Sequence, residues 1–200
     1  MINKQDITAM ILAGGRGTRM GGRDKGLVPL GNRPMIAHVL QAIRPQVGNL
    51  IINANRNLSR YADFGFPVIS DELEGFQGPL AGILAGLQSV PTPWMLCIPC
   101  DVPGIPHDLV ARLILAQEEQ QADMAVVHDG DRLQPAFALI PTTLTRDLET
   151  CLNRGERQLR QWCMSHHPAL ADYSDAPQHF ININDHKELE HIQASAPDPL

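Results

Sequence analysis

Six glycines fall within the thirteen residues from Gly14 to Gly26, and four cations, Arg16, Arg19, Arg23 and Lys25, share that stretch. Glycine lets backbone N–H groups approach a ligand with no Cβ in the way, and successive N–H groups form a concavity that binds anions. Glycines combined with Arg and Lys suit a triphosphate. A flexible basic surface loop is the plainer reading, but it has no need of four cations. Two common phosphate motifs fail here. The Walker loop needs Gly-Lys-Ser/Thr, whereas Gly22 is followed by Arg23 and Lys25 by Gly26. The dinucleotide fingerprint, run from Gly15, lacks its third glycine at Met20.

Three polar residues follow short apolar runs. Asp101 comes just after Trp94 to Ile98, within Pro99-Cys100-Asp101-Val102-Pro103. A carboxylate past the carboxyl end of a buried strand sits where open α/β sheets bind ligands. It could hold Mg²⁺, which takes one or two protein oxygens and completes its shell with water and phosphate. A helix cap is the competing role, disfavoured because Pro103 and Pro106 delay the next helix to about His107. Asp71 ends the run Pro67 to Ser70, and Asn53 lies near the end of Asn49 to Ala54. Either alone could be a turn or cap; their convergence on one sheet edge favours a binding role. Gly78-Pro79-Leu80-Ala81-Gly82 opens a helix whose start could receive an anion or a base edge. Gly82 and Gly86 each cost that helix about 1 kcal/mol against Ala. Close approach of a ligand or of the sheet would explain them, and tight packing alone accounts equally well for Gly86.

The elements that must position these residues alternate apolar runs with amphipathic stretches. The expected fold is therefore α/β: one Rossmann-like, three-layer domain over residues 1–193 with a mainly parallel central sheet. Strands are expected at Ala9 to Leu12, Asn49 to Ala54, Pro67 to Ser70 and Trp94 to Ile98. Helical stripes run through Met35, Ile36, Val39, Leu40 and Ile43, with Pro34 in the first turn, then through Leu80 to Leu87 and Leu109 to Ile114. Further on, Ala125 to His128 and Ala136 to Ile140 read as strands around Asp129-Gly130-Asp131, and Phe180 to Ile183 as another. Thr143 to Leu152, Gln158 to Met164 and Asp185 to Ile192 read as helices. Residues 194–200 hold two prolines without an apolar pattern and read as a disordered tail.

The whole chain sets outer bounds. Two hundred residues with 44% hydrophobic content suit a single globular domain. A net charge of −6 argues against a general nucleic-acid binder. No run approaches the ~20 apolar residues of a membrane span. The polar start, Met1 to Asp6, and a short apolar run closed by Gly14-Gly15-Arg16 do not resemble a signal peptide, so a cytoplasmic location is expected. Cys97 and Cys100 have C-x-x-C spacing but end a strand, where a redox pair would open a helix; Cys151 and Cys163 make a poor matching pair for zinc.

The run from Leu12 to Gly26 resembles the first loop of nucleotidyltransferases with a GT-A-like fold. Asn53-Ala54-Asn55-Arg56, the run from Asp71 through Gly78-Pro79-Leu80-Ala81-Gly82, Pro99-Cys100-Asp101-Val102-Pro103, Gly155-Glu156-Arg157 and Phe180-Ile181-Asn182-Ile183-Asn184 follow in an order that resembles the molybdenum cofactor guanylyltransferases. The resemblance spans about Thr8 to Leu189. It implies transfer of GMP from GTP to the terminal phosphate of molybdenum-loaded molybdopterin, with release of pyrophosphate. It implies GTP contacts at Leu12, Ala13, Gly14, Gly15, Lys25, Asn53, Asp71 and Asp101, with Mg²⁺ at Asp101. Arg19, Lys25 and Asp101 would carry catalysis, and Gly82, Arg157, Asn182 and Asn184 would face the acceptor. Proteins that deliver or receive the cofactor are further candidate partners. One departure stands out: after Asn184 the chain reads Asp185-His186-Lys187-Glu188 where the family continues Thr-Pro-Glu, which bears on the acceptor side. The rival readings are a molybdopterin cytidylyltransferase, a sugar-phosphate nucleotidyltransferase and a non-catalytic GTP-binding regulatory module.

Overall fold

The computed structural model describes residues 1–15, 23–71 and 78–183. Arg16, Arg19, Asn184, the helix expected at Asp185 to Ile192 and the tail from 194 lie outside the described residues. In chain order the elements are β1 (Ile7–Leu12), β2 (Pro29–Leu30), β3 (Arg33–Pro34), α1 (Met35–Ile43), β4 (Asn49–Asn53), α2 (Leu58–Ala62), β5 (Val68–Ile69), α3 (Pro79–Ser89), β6 (Trp94–Pro99), α4 (Leu109–Gln120), β7 (Ala125–His128), β8 (Leu133–Pro141), α5 (Thr145–Asn153), α6 (Leu159–Ser165) and β9 (Ala169–Asp172).

The main sheet has seven strands in the order β5-β4-β1-β6-β8-β7-β9, and β2 and β3 form a small hairpin of their own. Parallel pairing joins β5 to β4, β4 to β1, β1 to β6 and β7 to β9; β8 runs antiparallel to both its neighbours. Successive strand side chains leave on opposite faces, and both faces are covered. Ala9 and Ile11 of β1 join a core with Ile36, Val39 and Ile43 of α1 and with Leu109 and Leu113 of α4. Met10, between them, joins a second core with Leu80, Ile83 and Leu87 of α3, Leu148 and Leu152 of α5, and Trp162 of α6. The three-layer, mainly parallel architecture is the expected one. No helix among the described residues is long and apolar enough to cross a membrane.

Three local expectations change. Phe180 to Ile183 is not a strand: a 3₁₀ turn, Pro177–Phe180, is followed by chain outside any sheet. Its anchors are three residues apart. Phe180 docks edge-on against Phe137 and Tyr173, while Ile183 packs with Val28 and Met35. Side-chain docking replaces a ladder there. Strand β9 was not foreseen, because its inward residues, Ala169 and Ala171, are too small to make an apolar run. Pro34 precedes α1 instead of opening it: with φ −59° and ψ 149° it is still extended, paired within the β2–β3 hairpin.

Helix α3 is buried on all sides from Leu80 to Leu87, because it lies between the sheet and α5. Gly86 faces β1 and β6. A Cβ there would overlap the sulfur of Met10 and stand 2.7 Å from that of Met95, both fully buried. Packing against the sheet therefore accounts for this glycine. Gly86→Ala adds about 1 kcal/mol of helix propensity but overpacks the core by 1–3 kcal/mol. We expect a net loss of about 1 kcal/mol, measured by urea unfolding; a gain in stability would show that the two methionines yield freely.

Candidate active site

Chain past the strand ends continues the ladder for one more step. Ala13 N donates to Asn53 O at 2.8 Å, Ala54 N to Ile69 O at 2.9 Å and Cys100 N to Leu12 O at 3.1 Å. Four parallel strands thus release their following residues on one side of one edge. Leu12, Gly14, Gly15, Asn53, Asp71, Gly78, Pro79, Gly82, Pro99, Asp101, Ala136 and Asn182 line a cleft of about 570 Å³ there. Eight of these are residues that the sequence singled out as site candidates. Ala13 stays behind the cleft wall, 3% exposed, joining β1 to β4.

One wall is a polar cluster centred on Asp71. Its Oδ1 accepts from Asn53 Nδ2 at 2.9 Å and its Oδ2 from Asn55 Nδ2 at 2.8 Å, while Asn55 Oδ1 accepts from the Asp71 backbone N–H at 2.9 Å. Asn55 grips Asp71 by side chain and backbone together, so the carboxylate has one orientation. The sequence reading quoted Asn55 within a motif but gave it no role; the two-residue spacing from Asn53 was the signal. Gly82 on α3 packs against this wall, since a Cβ there would come within 2.6 Å of Asn53 Oδ1. The resemblance placed Gly82 with the acceptor, whereas its neighbour here is a residue of the implied nucleotide group. Gly82→Ala would push Asn53 away from Asp71. We expect it to raise KM for the nucleotide at least about fivefold, the scale of one hydrogen bond to a charged group. Initial rates at varied nucleotide and at varied acceptor would check this; an effect confined to the acceptor KM would move Gly82 back to the other side.

The opposite wall carries the charges. Lys25 Nζ lies 2.9 Å from Asp101 Oδ2, with side-chain exposures of 21% and 11%. The sequence reading gave these two residues separate tasks, and the fold brings them into contact. Lys25 opens a short 3₁₀ turn, Lys25–Leu27. The backbone carbonyl of Asp101 accepts from Ile183 N at 2.9 Å, which ties the chain carrying Asn182 to the cleft. Cys100, just before Asp101, is buried. Burial first, then the neighbouring Asp101 and Asp24 carboxylates, push its thiol far above the ordinary range. Burial likewise raises Cys97 and brings Cys163 up to about 12. These thiols stay protonated at neutral pH and are inert as nucleophiles.

Arg157 sits at the rim: its carbonyl oxygen is the nearest atom to where a Cβ on Gly78 would stand, at 3.7 Å. Its Nη1 donates to Leu152 O at 2.8 Å and Glu156 O at 2.7 Å, closing the end of α5.

Sequence reasoning missed Asp24 and Tyr61. Asp24 is 9% exposed and accepts from the Tyr61 hydroxyl at 2.5 Å and Asn57 Nδ2 at 2.9 Å. No periodic pattern links positions 37 residues apart, although an Asp between Arg23 and Lys25 could have been suspected of serving them.

Residues 9–170 match the MobA-like NTP transferase domain. The molybdenum cofactor guanylyltransferase of Cupriavidus necator is 50% identical over 194 residues, covering 94% of this chain and 97% of that protein. The molybdenum cofactor guanylyltransferase of Shewanella halifaxensis is 45% identical over 186 residues, covering 93% of each. Among solved structures, molybdopterin-guanine dinucleotide biosynthesis protein A from Archaeoglobus fulgidus superposes with a TM-score of 0.77 over 94% of this chain and 97% of its own, at 20% identity, a likeness of fold. With near-complete coverage at such identity, this chain belongs to the MobA-like NTP transferases, as a nucleotidyltransferase of the molybdenum cofactor guanylyltransferase family.

Proposed function

We propose that this enzyme transfers GMP from GTP to the terminal phosphate of molybdenum-loaded molybdopterin, releasing pyrophosphate and leaving the guanine dinucleotide form of the cofactor. The observation that carries this reading is the cleft itself. Its lining includes Asn53 and Asp71, with Asn55 bonded to the Asp71 carboxylate, and Asp101, whose carboxylate pairs with Lys25. The guanylyltransferase names of relatives at 45–50% identity support the choice of GTP and molybdopterin.

The acceptor phosphate is already ionised at neutral pH, so attack on the α-phosphorus of GTP needs no general base. The barrier is the approach of two anions, and the protein's work is alignment and neutralisation. GTP would lie along Leu12 to Gly15, with Asn53 and Asp71 at its nucleoside end and Arg19 and Lys25 among its phosphates. Arg157, Asn182 and Asn184 would border the acceptor, with Gly82 packed behind Asn53 on the nucleotide side.

Asp101 fits Mg²⁺. Among the described residues no group of three or more His, Cys, Asp or Glu could cage a metal. A lone carboxylate beside a phosphate site suits an ion that keeps its waters and arrives with the nucleotide. Bound there, Mg²⁺ would neutralise phosphate charge and polarise the α-phosphorus. A cytoplasmic location is part of the same proposal.

Pyrophosphate release with Mg²⁺, measured for GTP, CTP, ATP and UTP in turn with and without molybdenum-loaded molybdopterin, tests the whole reading. Release with GTP only, and only with the pterin, is expected. Release with CTP would assign the sister cytidylyltransferase activity. GTP binding without any release would assign a regulatory module.

A further inference from the structure

Gly15 and Arg23 are the described residues on either side of segment 16–22, and both turn a carbonyl oxygen toward one nitrogen. Arg56 Nη2 donates to Gly15 O at 3.2 Å and to Arg23 O at 2.9 Å. A terminal guanidinium nitrogen carries two N–H groups, one for each carbonyl. Arg56 also forms an ion pair with Asp24, its Nε lying 3.5 Å from Asp24 Oδ2. Asp24 is fixed in turn by Asn57, just before α2, and Tyr61, within it. Gly26 makes room for that contact, since a Cβ there would stand 2.6 Å from the Tyr61 oxygen. Burial first, with Cys100 and Asp24 adding to it, raises the Tyr61 hydroxyl far above its usual range, so it remains a donor at any working pH. Asp24 is also the residue immediately before Lys25, and its carbonyl accepts from Leu27 N at 3.0 Å, closing the turn that carries Lys25.

We propose that Arg56 and Asp24 are positioning residues that buckle the two ends of the glycine-rich segment together and aim Lys25 at Asp101. The inference rests on the nucleotidyltransferase reading for what the segment holds. It assigns Arg56 a structural grip on the loop ends, which differs from acting as one more cation beside a phosphate. The two roles separate by chemistry. A guanidinium is a planar fork that serves Asp24 and two carbonyls at once; a lysine ammonium carries the same charge on a single nitrogen.

The test measures GTP affinity by calorimetry with Mg²⁺ and no acceptor, and kcat and KM by pyrophosphate release, for Arg56→Lys, Asp24→Asn and the double variant. Arg56→Lys is expected to weaken GTP binding roughly tenfold despite keeping the charge, the scale of one charge-assisted contact. Asp24→Asn is expected to do the same although Arg56 is intact. The double variant should fall within about twofold of the worse single one, because the two residues act as a unit. A merely structural loss would lower the melting temperature without that non-additivity. Where Asp24→Asn does not fold, Tyr61→Phe takes its place, with an expected loss of roughly threefold in GTP affinity for one missing hydrogen bond to the carboxylate. Wild-type GTP binding in Arg56→Lys, in Asp24→Asn or in Tyr61→Phe would overturn the buckle, as would strictly additive losses. Wild-type protein that binds GTP but releases no pyrophosphate would count against the guanylyltransferase reading alone, and the affinities would still decide the buckle.

Discussion

Asp101→Ala is expected to abolish turnover, lowering kcat by about three orders of magnitude, the scale on which removal of a preorganised charge contact slows an enzyme. The geometry argues that this loss would be chemical and not a collapse of the fold. The tie between Asp101 and the chain carrying Asn182 runs through the Asp101 carbonyl, which the substitution leaves in place. Cys100 N remains bonded to Leu12 O, so the end of β6 stays beside β1. What disappears is the carboxylate that faces Lys25 and that would hold Mg²⁺. Lys25, about one-fifth exposed, then loses the Asp101 carboxylate, and a modest fall in melting temperature should accompany the loss of rate. Asp101→Asn keeps the shape and removes only the charge, and its kcat should fall nearly as far. Pyrophosphate release under single-turnover conditions is the measurement. A wild-type rate in either variant with Mg²⁺ would remove Asp101 from the reaction.

The sequence yielded the site where a simple physical rule joins residue type to position. Buried parallel strands read as short apolar runs, and polar residues just past their ends must share an edge; Asn53, Asp71 and Asp101 followed from that rule. Glycines with cations after the first strand marked a candidate phosphate loop for the same kind of reason. Contacts across the fold were not legible. Nothing in the spacing announced that Lys25 would meet Asp101, 76 residues away, or that Tyr61 would reach Asp24. Phe180 to Ile183 misled because alternating apolar residues describe an extended chain whether or not a neighbouring strand exists. There the anchors are a ring cluster and a small apolar pocket. Strand β9 escaped because alanines bury well without standing out by hydrophobicity. The consequence is uneven: the shared edge and its cleft were readable, whereas the second layer of partners, Asn55 behind Asp71 and Arg56 behind the loop, required the structure.

Lys25→Ala is expected to cost more than about 2 kcal/mol of transition-state stabilisation, a fall in kcat/KM of roughly thirtyfold or more. The reaction proposed here brings an ionised phosphate onto a triphosphate, so each cation fixed at the point of approach matters more in the transition state than in the ground state. Lys25 is well placed for this: its ammonium is held by Asp101, which lines the cleft, and is shielded from most of the solvent. Its backbone turn should survive the substitution, because Leu27 N and Val28 N bond to the carbonyls of Asp24 and Lys25, not to the lost side chain. Lys25→Arg should recover only part of the rate, since a broad planar guanidinium cannot take the place of a compact ammonium against both a carboxylate and a phosphate. The contact with Asp101 adds a sharper requirement. Residues that touch do not contribute independently, so Lys25→Ala combined with Asp101→Ala should be little slower than Asp101→Ala alone. A kcat/KM unchanged by Lys25→Ala would take Lys25 out of the site, and fully additive losses would mean that the 2.9 Å pair is not how the two side chains work during turnover.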